Sequence, residues 1–251
     1  MIKKEYKSKV KLRTKILCFC VITIILIGIV GVLFYNGILL FNNPSKERYP
    51  IRGVDVSAYQ GDIEWEVLAK QGIEFAFIKA TEGSTFVDKK FKTNFDDAIK
   101  TNLRIGAYHF FSFDSSGEAQ AKNFCNTVPK EENLLPPVVD IEFYGDKAKN
   151  PPDSQVTKKE LNKLLMMLEE YYNKKPIIYA TKQSYDLYIS NDFENYDIWI
   201  RDVFTNPSLS DGRKWTFWQY TNREKLKGYE GVEKYIDMNV YYGTKEEFLE
   251  Y

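Results

Sequence analysis

The sequence is poor in the residues that most often bind metals or form nucleophile–base pairs. Its 251 residues include one histidine and three cysteines. A zinc site built from several histidines is therefore excluded, and a catalytic Cys-His or Ser-His pair is disfavoured. Carboxylates remain as the candidate catalytic groups, since Asp and Glu together number 35.

Disulfides are also excluded as a source of stability. Cys18 and Cys20 lie in a long apolar run, and Cys125 is the one cysteine that follows it. The chain after this run must therefore be stabilised by packing rather than by cross-links. A composition that is 44% hydrophobic and 16% aromatic provides enough apolar surface for a large core.

A basic flank precedes the apolar run. Residues 1–15 contain seven Lys or Arg and one Glu, and no charge follows until Lys46. Residues 16–41 are long enough to span a bilayer as a helix. The basic flank predicts a cytoplasmic N-terminus, which would contact the cytoplasmic membrane, and places the following chain outside the cell. Secretion after cleavage of a signal peptide is the alternative, but a signal peptide has a shorter apolar region that ends in small residues.

The remainder of the chain is acidic. Removing the basic tail leaves 28 basic and 34 acidic residues, a net charge of −6. An acidic surface argues against nucleic-acid binding. Residues 42–50, NNPSKERYP, are predicted to form a short polar linker to a single domain over residues 51–251.

The domain alternates between strand-like and helix-like segments. Eight strands are predicted, namely RGVDVS, EFAFIKA, RIGAYHFF, PPVVDIE, PIIYA, DIWIRDV, KWTFWQYT and KYIDMNVYY. Helix-like segments separate the first five, which is typical of parallel β/α units. The fold class is therefore α/β, with one TIM-like barrel that is irregular on its closing side, where the helices thin out.

Two acids lie close together at the end of one predicted strand, VVDIEF. Asp140 and Glu142 are two positions apart, so both point to the same face. Like charges held this close shift each other's pKa, as catalytic acids require. The other C-terminal strand ends carry the candidate substrate-binding residues Asp55, Lys79, Tyr108, Tyr179, Trp218, Gln219 and Asp237, and His109 and Arg201 lie at such ends as well. Acids beside aromatic rings suit a carbohydrate substrate.

Eight motifs occur in order along the domain: GVDVSAYQGDIEW, FAFIKATEG, IGAYHFF, VVDIE, IIYA, IWI, FWQYT and IDMNVY. In this arrangement the chain resembles the glycoside hydrolase family 25 lysozymes, also called Ch-type muramidases. The resemblance implies an irregular β/α barrel that hydrolyses the β-1,4 bond between N-acetylmuramic acid and N-acetylglucosamine in peptidoglycan. It implies no metal and no cofactor.

The resemblance also implies roles for four acids. Glu142 matches the family's general acid, and Asp140 matches its partner carboxylate, which either attacks the sugar or orients an acetamido group that attacks. Asp55 and Asp237 match the other acids of the groove. The chain departs from the family after the strand IWI, where Arg201 replaces a small residue. Arg201 could contact a lactyl or peptide carboxylate of the substrate, or pair with Asp202 or Glu82.

Some of these residues could instead have purely structural roles. Lys79 and Glu82 could form an ordinary ion pair at the barrel rim, and His109 could be structural, although its position beside Tyr108 favours the groove. Trp218 and Gln219 must face opposite sides of their strand, and alternation does not tell which side is the groove.

Two further function classes compete with the muramidase. The fold could serve as a wall-binding module without turnover, or the four acids could hold Mg²⁺ or Ca²⁺ in a metal-dependent hydrolase. The membrane orientation and the short tether also suggest local opening of the wall for an assembly that crosses it.

Overall fold

The computed structural model describes residues 2–251, with side chains described from residue 11 onward. Two compact units divide the chain, the first ending at Phe41 and the second covering Asn42–Tyr251.

The first unit is a single long helix, α1, over Ile2–Tyr35. Its segment Lys11–Tyr35 is long and apolar enough to cross a membrane. The last 20 residues, 16–35, carry no charge and extend about 30 Å, the thickness of a bilayer core. The helix also continues through the basic segment and ends at Tyr35, so residues 36–41 of the predicted span lie outside it.

The second unit is a closed barrel of eight strands. The strands in chain order are β1 Arg52–Val56, β2 Asp62–Ile63, β3 Phe75–Glu82, β4 Phe86–Val87, β5 Arg104–Phe110, β6 Val138–Ile141, β7 Ile177–Thr181, β8 Asp197–Arg201, β9 Phe217–Glu224, β10 Tyr229–Glu230 and β11 Ile236–Tyr241. The barrel order is β1, β11, β9, β8, β7, β6, β5 and β3, and β1 closes it by pairing with β3. The two-residue strands β2, β4 and β10 lie outside this ring.

The eight predicted strands are confirmed, and the closing side is irregular as expected. Strand β11 runs antiparallel to both of its neighbours, β1 and β9, while the other barrel pairs are parallel. The helices that follow α1 are α2 Trp65–Ala69, α3 Phe91–Ala98, α4 Gly117–Thr127, α5 Ser154–Tyr172, α6 Lys182–Tyr188 and α7 Lys245–Glu250. The short helices α6 and α7 were not predicted from the sequence.

Helix α5 shows why these sequences form these elements. Asp153 caps its N-terminus by accepting a hydrogen bond from the Val156 amide at 2.9 Å. Asn173 ends it in the left-handed conformation at φ 53°. Its leucines at positions 161, 164, 165 and 168 recur at helical spacing and are fully buried against the barrel.

An aromatic plug fills the lower half of the barrel. Phe77 stacks on Trp199 with ring centroids 4.7 Å apart, and Phe75 and Phe217 pack edge to face at 5.3 Å. Alternation then places the next inward residue of each strand above the plug, for example Arg201 two residues after Trp199. The plug therefore closes the barrel from below and leaves its C-terminal mouth open.

Residues 42–50, which we call the strap, pack against the barrel and belong to the second unit. Asn42 is buried and donates from Nδ2 to the backbone carbonyl of Asp202 at 3.0 Å. The guanidinium of Arg52 donates to the carbonyl of Pro44. The predicted polar linker thus packs on the barrel through its buried residues Asn42, Pro44 and Tyr49, while the polar residues 45–48 between them stay exposed.

Candidate active site

The mouth of the barrel holds a cleft of about 600 Å³. Its carboxyl groups are Asp55, Asp140, Glu142, Glu233 and Asp237, and its cations are Lys79 and Arg201. Its aromatic side chains are Tyr59, Tyr108, Phe110, Phe143, Tyr179, Trp199 and Tyr235. Eight of the nine predicted site residues, including Asp140 and Glu142, are thus brought together here beside Arg201. The ninth, Trp218, is not part of this lining, and neither is His109.

Asp140 and Glu142 lie side by side in this cleft. Asp140 lies one residue before the end of β6, opposite Tyr179 of β7, and is only 7% exposed, while Glu142 follows the strand and is half-buried. Among the described residues, no hydrogen-bond partner reaches Asp140 Oδ1. Burial raises the pKa of both carboxyls, and the charge of Glu142 raises the pKa of Asp140 further. The pair therefore retains a proton more readily than ordinary acids do.

Asp55 and Asp237 form a second carboxyl pair. They face each other across the antiparallel strands β1 and β11 and share a hydrogen bond. Asp55 Oδ2 also accepts from Gln219 Nε2 at 2.9 Å and from Asn239 Nδ2 at 2.8 Å. Burial raises the pKa of both acids, and the charge of Asp55 raises that of Asp237 further. Asp237 is thus the better proton holder of this pair.

Asn239 is a positioning residue that the sequence reasoning missed. Besides its bond to Asp55, its Oδ1 accepts from Trp199 Nε1 at 2.8 Å, and it is fully buried. It lies two positions after Asp237 on β11, so strand alternation from that acid could have found it.

The two predicted tyrosines act as neutral polar groups. Tyr179 donates from its hydroxyl to Gln219 Oε1 at 3.1 Å, and Tyr108 is half-buried on β5. Burial raises the pKa of both, and the surrounding carboxylates raise it further. Both hydroxyls therefore keep their protons and can donate to a polar ligand.

Trp218 does not line the cleft, in contrast to the prediction. It is 1% exposed and packs outside the cleft against Tyr49 and Trp215, where Nε1 donates to the Asp202 carbonyl at 2.8 Å. Gln219, its neighbour on β9, occupies the cleft face. Closure of the barrel decides which side of the strand is inward, and this is information that alternation alone does not contain.

His109 is structural, which corrects the expectation that it faces the groove. It is fully buried on the outer side of β5, with Nδ1 2.7 Å from Thr81 Oγ1 and Nε2 3.0 Å from Gln120 Oε1. Because Gln120 Oε1 can only accept, Nε2 carries the proton and Nδ1 accepts from the Thr81 hydroxyl. Burial lowers the pKa of His109 to about 4, so the ring is neutral.

Lys79 fits both of its interpretations. Its Nζ lies 2.7 Å from the Glu82 carboxylate and 4.8 Å from the centre of the Phe110 ring, while the same side chain lines the cleft. Other cleft residues, including Tyr59, Glu233 and Tyr235, lie outside the barrel strands, where the sequence carries no periodic signal.

The arrangement has the properties that hydrolysis of a glycosidic bond requires. Paired carboxyls with raised pKa can supply and accept protons, and neutral hydroxyls with aromatic faces can hold sugar rings. Among residues 11–251, whose side chains are described, no three His, Cys, Asp or Glu residues are grouped to hold a metal ion. The fold and the site together define a glycoside hydrolase built on an irregular β/α barrel.

Comparison with known proteins gives the family. The sequence model described as "Glycosyl hydrolases family 25" matches residues 54–229. A family 25 glycosyl hydrolase of known structure from Bacillus anthracis is 60% identical, with a TM-score of 0.79 over 83% of this chain and 96% of that one. The chain therefore belongs to family 25 of the glycosyl hydrolases.

Two curated relatives extend this similarity. The protein YegX of Escherichia coli K12 is 35% identical over 204 residues, which cover 79% of this chain and 72% of the relative. Lysozyme M1 of Streptomyces globisporus is 27% identical over 215 residues, which cover 79% of this chain and 70% of that protein.

Proposed function

We propose that this glycoside hydrolase is a membrane-anchored muramidase, which cuts the β-1,4 bond between N-acetylmuramic acid and N-acetylglucosamine in peptidoglycan. The observation that carries the proposal is the Asp140–Glu142 pair in the cleft of a family 25 barrel. Similarity to Lysozyme M1 supports peptidoglycan as the substrate.

Glu142 is the general acid in this proposal. It is the less buried member of its pair and reaches the cleft, so it can protonate the leaving glycosidic oxygen. Asp140 and Glu142 titrate as one pair that retains a proton, and burial together with the charge of Glu142 raises the pKa of Asp140 most. For Glu142 to act as the acid, this proton must therefore lie on Glu142, the more accessible carboxyl, when the substrate is bound. Asp140 either attacks the sugar or orients a substrate acetamido group that attacks; both roles require a carboxylate at this depth.

Six further residues bind the glycan strand. Their polar atoms line the cleft around the acid pair and match the donors and acceptors of sugar hydroxyl and acetamido groups. They are Asp55, Lys79, Tyr108, Tyr179, Gln219 and Asp237.

The membrane anchor forms the second part of the proposal. Residues 1–15 lie in the cytoplasm, residues 16–41 contain the span, and the catalytic domain over residues 51–251 works outside the cell, with the strap attached to it. The apolar helix over Lys11–Tyr35 and its basic flank support this orientation. An enzyme held at the membrane surface would open the wall locally, which suits an assembly that must cross the wall.

The reaction is tested by digesting purified peptidoglycan with the wild type and with Glu142→Gln, each with and without EDTA, and by identifying the products by mass spectrometry. The expected products carry N-acetylmuramic acid at new reducing ends, arise only with the wild type, and are unaffected by EDTA. Binding without cleavage by the folded wild type would indicate a wall-binding module. Activity that EDTA abolishes would indicate a metal-dependent hydrolase.

The orientation is tested separately in cells whose wall has been removed. External protease is expected to degrade the catalytic domain and to leave the basic tail intact with its membrane helix. Recovery of a soluble protein that lacks residues 1–41 would instead show that the helix is a cleaved signal peptide.

A further inference from the structure

Of the two cations in the cleft, only Lys79 has an ion-pair partner. Its Nζ lies 2.7 Å from Glu82. Arg201, the other cation, is half-buried at the end of β8 between Thr181 of β7 and Gln219 of β9. Among the side chains that the structure describes, none forms an ion pair with the Arg201 guanidinium, although five carboxyl groups line the same cleft.

The acids that could pair with Arg201 along the chain are engaged elsewhere. The Asp202 carboxylate turns into its own loop, where it accepts from the Thr205 amide at 2.8 Å and from Thr205 Oγ1 at 2.7 Å. Glu82 is bound by Lys79. The Asp202 amide also donates to the Gln219 carbonyl at 3.2 Å, which fixes the backbone next to Arg201. Within residues 11–251, no side chain accepts a hydrogen bond from this guanidinium, and Glu142, Asp55 and Asp237 interact with its charge only at longer range.

A guanidinium in this position suits a carboxylate from outside. Its five N–H donors form a planar fork that matches the two oxygens of a carboxylate. A cleft lined by acids also disfavours an anionic ligand, and a cation at the point of contact reduces that repulsion. Muramic acid differs from glucosamine by a lactyl ether whose carboxyl is either free or joined by an amide to a peptide, which carries carboxylates of its own.

We propose that Arg201 is a specificity-determining residue that binds a carboxylate of the glycan substrate, from the lactyl group or from the attached peptide. This inference rests on the proposed muramidase function and deepens it. Binding also affects the acid. The charge of Arg201 opposes the effect of burial and lowers the pKa of Glu142. A bound carboxylate offsets that charge, so the general acid holds its proton more firmly when the substrate is in place.

The experiment uses the full chain in detergent and two matched pairs of N-acetylglucosamine–N-acetylmuramic acid oligosaccharides. The first pair carries a lactyl carboxylate or the corresponding carboxamide. The second carries a dipeptide that ends in a carboxylate or a carboxamide. The ratio of kcat/KM within each pair is measured for the wild type, Arg201→Gln and Arg201→Lys, after thermal melting has shown that each protein is folded.

The wild type is expected to prefer the carboxylate in one pair by about tenfold to a hundredfold, mainly through KM, as a charge-assisted hydrogen bond provides. Arg201→Gln should bring that ratio close to one, and Arg201→Lys should retain part of it. Preference in the first pair identifies the lactyl carboxylate as the ligand, and preference in the second identifies the peptide.

Three outcomes would overturn the inference. A wild type that cleaves all four substrates with both ratios near one would leave the muramidase standing and remove the role of Arg201. If Arg201→Gln kept the wild-type preference for the carboxylate substrate, another group would have to bind that carboxylate. Arg201 would then only offset the negative charge of the cleft. A folded wild type that cleaves none of the substrates would overturn the proposed function, and this inference with it.

Discussion

Asp55 and Asp237 face each other across β1 and β11 and share a hydrogen bond inside the barrel mouth. Two carboxyls this close cannot both be ionised without a large energetic cost, so the pair holds a proton. Neighbouring amides favour the charge on Asp55, because Gln219 and Asn239 both donate to its Oδ2. The barrel mouth thus holds an ionised Asp55 beside a protonated Asp237, and burying this pair lowers the stability of the fold.

Replacing Asp237 by Asn should stabilise the protein and weaken its activity. The folded-state pKa of Asp237 is raised well above the ordinary value. At pH 7 this carboxyl is ionised in the unfolded chain and disfavoured as an anion in the folded one, which lowers the free energy of unfolding. An Asn amide can still donate to Asp55 and has no charge to lose. We expect a gain in unfolding free energy on the order of 1 kcal/mol, or roughly 2–4 °C in Tm, in thermal melts at pH 7.

The pH dependence provides the control for this variant. The ordinary pKa of Asp is 3.8, and below this value both states of the wild type bind the proton. The advantage of Asp237→Asn should therefore be small at pH 3.5 and grow as the pH rises. If the gain in unfolding free energy were equal at both pH values, it would come from packing and not from the ionisation of Asp237.

Removing the charge of Arg201 should move the alkaline limb of activity. Burial raises the pKa of Glu142, and Arg201 lowers it. A general acid works only while protonated, so activity falls as the pH rises through its pKa. In Arg201→Gln the alkaline limb of kcat/KM should shift to higher pH, and in Arg201→Lys it should stay near that of the wild type. A shift to lower pH would contradict this electrostatic account.

The buried histidine should make the fold acid-sensitive. The pKa of His109 is about 4 in the folded state against 6.5 ordinarily, so only the unfolded chain gains a proton between these values. Stability is therefore lost as the pH falls from about 6.5 to about 4, by up to about 3 kcal/mol. Urea denaturation should show this loss in the wild type relative to His109→Gln. Parallel pH profiles for the two proteins would refute it, since the cleft acids contribute to both.

The strap should contribute to stability as part of the barrel. Tyr49 packs against Trp215 and Trp218 with ring centroids 5.7 and 6.2 Å apart, and it is 7% exposed. Tyr49→Ala should lower the unfolding free energy by about 3–5 kcal/mol, as for other buried aromatic residues. The matched control is Tyr59→Ala, because Tyr59 is 61% exposed and should cost less than about 1 kcal/mol. Equal effects of the two variants would mean that the strap is not held.

The barrel and its acid pair could be predicted from the sequence because their signals are local. Strand patterns and the spacing of Asp140 and Glu142 require only short-range geometry. The orientation of Trp218 and Gln219 could not be predicted, since the direction in which the sheet closes decides it. The docking of the strap could not be predicted either, because it depends on partners such as Asp202, 160 residues away from Asn42.

Arg201 illustrates the same limit within the site. The sequence did not decide the ion-pair partner of Arg201, because Asp202 and Glu82 were both candidates. The structure engages each of these acids with another group, Asp202 with its own loop and Glu82 with Lys79. Whether a side chain is paired depends on such competition among neighbours, which no motif encodes.

The most direct test of the muramidase mechanism is the initial rate of peptidoglycan cleavage by Glu142→Gln beside Glu170→Gln, which changes an exposed glutamate on helix α5. Loss of the general acid should lower the rate by about 10²–10⁴-fold, while the control should stay close to the wild type. A Glu142→Gln protein that is folded and cleaves within a few-fold of the wild-type rate would contradict the assignment of Glu142 as the acid.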